Sequence, residues 1–154
     1  NPIDVNSARP SVNLKSGIQL TGGSGTVDNP YTIKGDRENI EENVTLINSR
    51  GSGEYVKLSD EETAPTFRIV GTETINGAIS TKLVLNDYLK NGEKVLTKYF
   101  SNDYTYGDGT SDSYWDYYLN NTYLKKLNIN TDVMAVFDRR TNQGRFLYAY
   151  NKFV

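Results

Sequence analysis

The sequence predicts an α+β fold that is mainly antiparallel β-sheet, with one amphipathic helix packed on it. The chain of 154 residues contains 12 tyrosines and 13 glycines, and these residue types favour strands and the turns between them. The dipeptide Asn76-Gly77 lies between two β-type runs, which is the strongest short-range signal for a hairpin. One segment, 113–126, places its apolar residues at helical spacing. Together these observations favour a sheet with a single helix.

The N-terminal part of the chain is predicted to contain short strands joined by turns. Within residues 11–20, apolar and polar residues alternate on either side of Ser16-Gly17, which predicts one bulged strand or two short strands with one buried face. The glycine-rich residues 21–26 predict a tight loop with positive φ angles. The chain then resumes as a short strand at 31–33.

A charged stretch, residues 35–43, follows this first part of the chain. It has few apolar residues, so we interpret it as a linker or as a solvated loop within one domain. The predicted organisation is an N-terminal β segment (1–34), a linker (35–43) and an α+β surface module (44–154). Within the module, alternation and β-branched residues predict strands at 44–47, 54–58, 66–74, 78–85, 133–137 and 145–150.

The segment 113–126 is predicted to be the helix. Ser113, followed three residues later by Asp116, resembles a capping box. The last turn carries Lys125 and Lys126, where cations interact favourably with the helix dipole. One stripe at helical spacing is predicted to face the sheet, and it consists of Trp115, Tyr118, Leu119, Thr122 and Tyr123.

The composition excludes several classes of function. No cysteine is present, which excludes a disulfide framework, a thiolate nucleophile and a cysteine-based zinc site. No histidine is present, which removes the commonest general base and the commonest transition-metal ligand. The formal net charge of −2 excludes a broad basic surface for nucleic acid. No apolar run approaches the ~20 residues that span a bilayer, so we expect no membrane insertion.

The densest polar stretch, residues 102–112, carries the candidates for a metal site. Asp103, Asp108 and Asp112 can present carboxylate oxygens to calcium around two glycines. The spacing is not that of an EF-hand loop, and the alternative is a plain turn that leads into the helix. No spacing singles out a pair of carboxylates that could catalyse glycoside hydrolysis. We therefore expect that the protein is not an enzyme and that it binds no cofactor.

Nine aromatic residues lie within 99–123 and indicate a second candidate function. Tyrosine and tryptophan are suited to stacking on sugar rings because they combine an apolar face with a polar edge. Three of these rings are expected in the core: Phe100, Trp115 and Tyr118. The candidates for exposed contacts with a glycan or a protein are Tyr104, Tyr106 and Tyr117.

Two parts of the chain resemble uncharacterised extracellular modules of Firmicutes surface proteins. Residues 9–16 (Arg-Pro-Ser-Val-Asn-Leu-Lys-Ser) and 22–31 (Gly-Gly-Ser-Gly-Thr to Asn-Pro-Tyr) are similar to the closing segment of those modules, RPVxLKS…GGxGTxxNPY. Residues 67–71 and 113–127 resemble the core strand (WRIIG) and the helix (WxxSxLxxYLN), with Phe67 where the family often has Trp. The resemblance covers about half of the chain and rests on packing and turn patterns.

The order of these segments is inverted in this chain. The closing segment comes last in the modules that the chain resembles, whereas here it occupies residues 9–31. Three explanations remain open: the sequence straddles two tandem modules, residues 9–33 fold back onto 44–154, or residues 9–33 complete the sheet of a neighbouring copy. The predicted apolar anchors of such an assembly are Val12, Leu14, Ile18, Leu20 and Tyr31.

The resemblance implies an extracellular or cell-surface location and a structural role. We expect a building block of a Gram-positive surface protein or of a pilus-like filament, with further copies of the chain or other surface-protein modules as partners. The alternative is an adhesin-like module that binds carbohydrate or protein through the Tyr-rich region 99–118. Assembly in the absence of ligand favours the first function, and a stable monomer with affinity for a glycan favours the second.

Overall fold

The computed structural model divides the chain into two compact units. Unit 1 comprises Asn1–Pro10, Asp87–Lys126 and Val136–Val154, and unit 2 comprises Ser11–Asn86 and Leu127–Ala135. The structure describes residues 5–34, 46–59, 61–75, 77–100, 110–127, 134, 137–140 and 146–151. The fold is α+β and mainly antiparallel β-sheet, which confirms the predicted fold class.

Twelve short strands are present in the described residues. In chain order they are β1 (Val5–Asn6), β2 (Ser11–Leu14), β3 (Gln19–Gly22), β4 (Thr32–Lys34), β5 (Tyr55–Lys57), β6 (Thr66–Ile75), β7 (Ala78–Leu85), β8 (Lys90–Asn91), β9 (Lys94–Val95), β10 (Lys98–Tyr99), β11 (Phe137–Arg140) and β12 (Phe146–Asn151).

Unit 2 is built on a four-stranded antiparallel sheet. Its strand order is β2-β7-β6-β5, and a separate antiparallel pair is formed by β3 and β4. Side chains alternate across the sheet, so one face collects the apolar positions of all four strands. The most deeply buried apolar residues of the unit are at most 1% exposed. They are Val12, Leu14, Ile18, Ile47, Val56, Phe67, Ile69, Leu83 and Met134.

Strands β6 and β7 form the hairpin that the Asn-Gly dipeptide predicts. Ile75 pairs with Ala78 across the turn. Gly77 has a φ of +79°, as the predicted two-residue turn requires, and Asn76 lies outside the described residues. A one-residue irregularity at Val70 shifts the register of the two strands. The hairpin prediction is therefore confirmed in its strands and their pairing.

Replacing Gly77 by valine is expected to lower the free energy of unfolding by about 1 kcal/mol or more. A Cβ at this position would meet no atom within 4 Å, so the cost arises from the positive φ, which a β-branched residue strains. Ala78→Val is the matched control because Ala78 is exposed and lies on the strand next to the turn. Denaturant unfolding compares the variants, and an unchanged stability of Gly77→Val would contradict this turn.

Both edges of the four-stranded sheet are contacted by other residues of unit 2. At the β5 edge, the Tyr31 N–H donates to the Tyr55 carbonyl at 2.8 Å, and the Tyr31 carbonyl accepts from the Lys57 N–H at 2.9 Å. At the β2 edge, Leu14 forms an antiparallel bridge with Met134. Exposed strand edges promote association between chains, and these contacts reduce the exposed edge.

The chain from residue 11 to residue 20 contributes to two short strands, β2 and β3, and does not form one bulged strand. Gly17 has a φ of +84° in the turn that separates β2 from β3. Of the strand predicted at 44–47, Leu46 is extended and forms an antiparallel bridge with Gln19, whereas the prediction is wrong for Ile47, which begins a 3₁₀ helix, Ile47–Ser49. The Ser49 hydroxyl donates to the Leu46 carbonyl at 2.7 Å, and this local bond competes with an extended backbone.

Among its described residues, unit 1 contains three antiparallel two-stranded ladders, β1-β10, β8-β9 and β11-β12. In the β8-β9 ladder Asn91 pairs with Lys94, and Gly92 in the loop has a φ of +64°. The strand predicted at 145–150 is observed as β12, Phe146–Asn151. Of the strand predicted at 133–137, only Met134 and Phe137 are described: Met134 forms a bridge with Leu14 in unit 2, and Phe137 begins β11. Strand β11 continues beyond the predicted strand end through the charged residues Asp138 to Arg140.

The helix of unit 1 lies where the sequence predicts it, but its middle is π-helical. It consists of an α-helical turn at Trp115–Tyr117, a π-helical segment at Tyr118–Tyr123 and a second α-helical turn at Leu124–Lys126. The side-chain amides of Asn120 and Asn121 each donate to the main-chain carbonyl four residues earlier, at 2.9 Å. Each amide thus occupies the place that a main-chain N–H takes in a regular α-turn.

The predicted capping box at Ser113 is wrong. The helix begins after Tyr114, and no side chain caps it. The Ser113 carbonyl accepts from the Tyr99 N–H at 2.9 Å, and Tyr114 forms a parallel bridge with Tyr99. The residues before the helix are therefore held in extended contact with β10, which leaves Ser113 outside the capping position.

Candidate functional site

The segment predicted to mediate assembly supplies an edge strand of unit 2. Strand β2 pairs with β7 in the order Ser11–Val84, Val12–Leu83, Asn13–Lys82 and Leu14–Thr81. In the single chain this segment therefore closes the sheet of its own chain. Residues 11–34 lie in the same unit as 46–86, a grouping that differs from the predicted boundaries, and the predicted linker 35–43 lies outside the described residues.

Four of the five predicted anchors are buried. Val12, Leu14 and Ile18 have no exposed area, and Tyr31 is 7% exposed. Leu20 is only half-buried, because Gln19 takes the inward position at the start of β3. Strict alternation predicts that Leu20 shares the buried face of Ile18, but the alternation breaks between Ile18 and Gln19, which are both buried.

The glycine-rich stretch forms a tight loop around Tyr31. The N–H groups of Ser24 and Gly25 both donate to the Asn29 carbonyl, at 3.0 and 3.1 Å. A Cβ on Gly23 would lie 2.1 Å from the Pro30 carbonyl oxygen, and one on Gly25 would lie 2.5 Å from the Tyr31 ring. Glycine is thus required at both positions, because a side chain would collide with Pro30 or Tyr31. The glycine-rich part of the closing segment therefore has a packing role.

The Tyr31 side chain ends in a small polar network. Its hydroxyl donates to Glu54 Oε1 at 2.8 Å, and Glu54 Oε2 accepts from the Gly51 N–H at 2.8 Å. The Arg50 guanidinium lies 5.6 Å from the centre of the Tyr31 ring. Burial and the Glu54 carboxylate raise the pKa of Tyr31 above the ordinary value of 10.0, and Arg50 opposes this shift.

Stability is expected to fall at alkaline pH. Burial also raises the pKa of Tyr123, so both hydroxyls keep their protons to higher pH in the folded state than in the unfolded chain. Their contribution is complete below about pH 10 and is lost as the pH rises further through the folded-state pKa values. Thermal unfolding from pH 8 to 12 measures this loss of stability. Tyr31→Phe should lose less stability than wild type above pH 10, whereas the exposed control Tyr88→Phe should match wild type.

An aromatic cluster in unit 1 surrounds Trp115. The indole is 4% exposed, and its Nε1–H donates to the Asn6 carbonyl at 2.8 Å. The Tyr118 ring meets Trp115 edge-on at 6.0 Å between centres, and Tyr123 stacks on Tyr118 at 6.3 Å. Trp115 and Tyr118 are buried as the sequence predicts, whereas the prediction for Phe100 is wrong because this ring is 44% exposed.

The Lys98 ammonium belongs to this cluster, although no pattern in the sequence predicts it there. Its Nζ lies 4.1 Å from the centre of the Tyr118 ring and donates a hydrogen bond to the Asp112 carbonyl oxygen. Burial lowers the pKa of Lys98 below its ordinary value. The Asp112 carboxylate accepts through Oδ1 from the Thr122 hydroxyl. The spacing of aromatic residues along a helix does not indicate that a lysine from a strand elsewhere in the chain packs against them.

The predicted binding and metal residues are only partly described. Tyr117 is 37% exposed, in agreement with its predicted exposed position. Tyr104 and Tyr106 lie outside the described residues, as do Asp103 and Asp108. Within the described residues, no group of three or more Asp or Glu side chains is arranged to hold a metal ion.

Comparisons with known proteins do not identify the chain. No family model, no curated protein and no solved structure matches it. The resemblance to Firmicutes surface modules therefore stays a prediction. Among the described residues, no helix combines the length and apolar character needed to cross a membrane.

Proposed function

We propose that this chain is a structural module of a bacterial extracellular surface protein or filament, and that residues 9–33 join neighbouring copies by completing the sheet of the next subunit. The observation that carries the proposal is the position of β2. It is an edge strand of the sheet and pairs with β7 over four residues. Val12 and Leu14 in this strand, and Ile18 just after it, have no exposed area. A strand of this kind can be supplied by the same chain or by another copy.

The energetics of β2 support an exchange between copies. Val12, Leu14 and Ile18 are fully buried, so a subunit without this segment would expose an apolar groove and the edge of β7. The same pairing and the same burial result when the segment of a neighbour fills that groove. A contact of this type runs from head to tail and propagates into a filament.

The length of chain after the segment also supports the proposal. Eleven residues, 35–45, join β4 to Leu46, which forms a bridge with Gln19 in unit 2. A connection of this length can span about 36 Å when extended, so it leaves the segment before it free to move away from Leu46. The extracellular location is supported by the resemblance and by the richness in tyrosine, threonine and asparagine, a composition common in exported proteins of Gram-positive bacteria.

Engineered cysteines test the exchange directly, because the natural chain has none. Ser11 and Val84 face each other across β2 and β7, at a Cα separation that suits a disulfide. Chains that carry Ser11→Cys are mixed with chains that carry Val84→Cys, unfolded together, refolded at high concentration and oxidised. The proposal predicts covalent dimers of the two chains on a non-reducing gel.

The matched control uses a pair that the hairpin keeps within one chain. Thr74 and Ile79 face each other across β6 and β7, and both are exposed. A mixture of Thr74→Cys and Ile79→Cys chains should give no dimer above background, and the double variant should close within the chain. If the Ser11 and Val84 mixture behaves like this control, residues 9–33 close only their own sheet and the filament proposal is wrong.

A further inference from the structure

A groove of about 440 Å³ lies in unit 1, beside the turn that precedes the helix. Val5 from β1 and Tyr99 from β10 give it an apolar wall. Thr97 and Ser111 add hydroxyl groups, and Lys98 and Asp112 add one charge of each sign. A concave site with an aromatic wall and a few polar groups is the usual form of a small-ligand site.

The aromatic wall is fixed in position and open to solvent. Tyr99 is 40% exposed, although its N–H is bound to the Ser113 carbonyl at 2.9 Å. The Tyr114 ring lies 5.9 Å from the Tyr99 ring at an angle of 42° and so supports one side of it. The Tyr99 main chain is thus held in place before a ligand binds, and part of its ring surface is open to stacking.

The charges of the groove favour a neutral ligand rich in hydroxyl groups. Lys98 and Asp112 cancel, and the Lys98 ammonium is already engaged by the Asp112 carbonyl and by the Tyr118 ring. An anionic ligand would meet no uncompensated cation among the described lining residues. A sugar hydroxyl can donate to the Asp112 carboxylate and exchange bonds with the Ser111 hydroxyl, and hydrogen bonds to an ionised acceptor are the strong ones.

We infer that this groove binds one unit of a neutral polysaccharide, with the pyranose ring against Tyr99 and its hydroxyls on Asp112 and Ser111. The groove lies within unit 1, whereas the proposed strand exchange concerns unit 2. The two proposals therefore stand or fall separately. The Tyr-rich region that the sequence predicts as a binding region contributes Tyr99 to this site, while Tyr117 is not among the lining residues.

Titration of the full isotope-labelled chain tests the site, followed by amide chemical shifts. The probes are two neutral tetrasaccharides, cellotetraose and chitotetraose, and one anionic probe, tetragalacturonate. A neutral probe should shift the amides of β10 and of residues 111–113, and tetragalacturonate should bind more weakly. Absence of any shift at about 10 mM of both neutral probes, or tighter binding of tetragalacturonate, would overturn the inference.

Substitutions locate the binding on Tyr99. Tyr99→Ala should weaken the association about tenfold, whereas Tyr99→Phe, which keeps the ring, should stay within about twofold of wild type. Tyr117→Ala is the matched control, since this tyrosine is 37% exposed in the same unit but does not line the groove. Equal losses in Tyr99→Ala and Tyr117→Ala would overturn the assignment, and circular dichroism verifies that each variant is folded.

Discussion

Replacing Trp115 by alanine is expected to lower the free energy of unfolding by about 3–5 kcal/mol. The indole is buried, it packs edge-on against Tyr118, and its Nε1–H reaches the Asn6 carbonyl from the helix. The truncation leaves a cavity and removes the hydrogen bond that ties β1 to the helix. A typical domain has only about 5–15 kcal/mol of stability, so this loss is a large part of the total.

Two further variants separate the contributions of volume and hydrogen bonding. Trp115→Phe keeps an aromatic ring but removes the N–H donor, and we expect it to cost about 1–3 kcal/mol. Tyr117→Ala, on the exposed side of the same helical turn, should cost much less. Trp115 is the one tryptophan of the chain, so unfolding is followed by far-ultraviolet circular dichroism. A loss no larger for Trp115→Ala than for Tyr117→Ala would contradict the buried position.

Replacing Gly23 by alanine is expected to lower the free energy of unfolding by about 3 kcal/mol or more. The φ of Gly23 is +83°, a region that costs an L-residue about 1–2 kcal/mol. In addition, the new Cβ would lie 2.1 Å from the Pro30 carbonyl oxygen. This atom belongs to the main chain, so relief of the clash requires the whole loop that surrounds Tyr31 to move.

Two other glycines separate these costs. Gly92 has a φ of +64° but open space around a Cβ, so Gly92→Ala should show only the conformational cost of about 1 kcal/mol. Gly51 has open space and no positive φ, so Gly51→Ala should be nearly neutral. The expected order of destabilisation in denaturant unfolding is therefore Gly23, then Gly92, then Gly51. A Gly23→Ala variant as stable as Gly92→Ala would contradict the close approach of Gly23 to the Pro30 carbonyl.

Features that depend on neighbouring residues in the sequence were predictable. The hairpin of β6 and β7 follows from the requirement of a two-residue turn for positive φ, which Gly77 meets. The buried stripe of the helix follows from spacing, and Trp115, Tyr118, Leu119 and Tyr123 are all buried. The predicted capping box is not formed, because the Ser113 carbonyl accepts a hydrogen bond from the Tyr99 N–H. A contact of this kind with a strand cannot be predicted from the neighbouring residues in the sequence.

Features that depend on phase or on distant contacts were not predictable. Ile18 and Gln19 are neighbours and are both buried, so Gln19 replaces Leu20 in the interior, and a break of this kind in the alternation cannot be read from the apolar pattern. The position of Lys98 over the Tyr118 ring brings together residues 20 positions apart on a strand and a helix. The groove beside Tyr99 likewise arises from β1, β10 and the turn before the helix, three segments that share no sequence pattern.

The way in which the chain alternates between the two units has a consequence for its synthesis. Unit 1 contains both ends of the chain and the segment Asp87–Lys126, so the chain passes between the units four times. Asn6 and its partner Trp115 are 109 positions apart, so at a ribosomal rate of about 5–20 residues per second β1 must wait roughly 5–20 s for the helix. Unit 2 is likewise incomplete until Leu127–Ala135 have been made. Neither unit can be expressed whole by cutting the chain at a single point, and neither can complete its folding before its last segment, Val136–Val154 for unit 1 and Leu127–Ala135 for unit 2, has been synthesised.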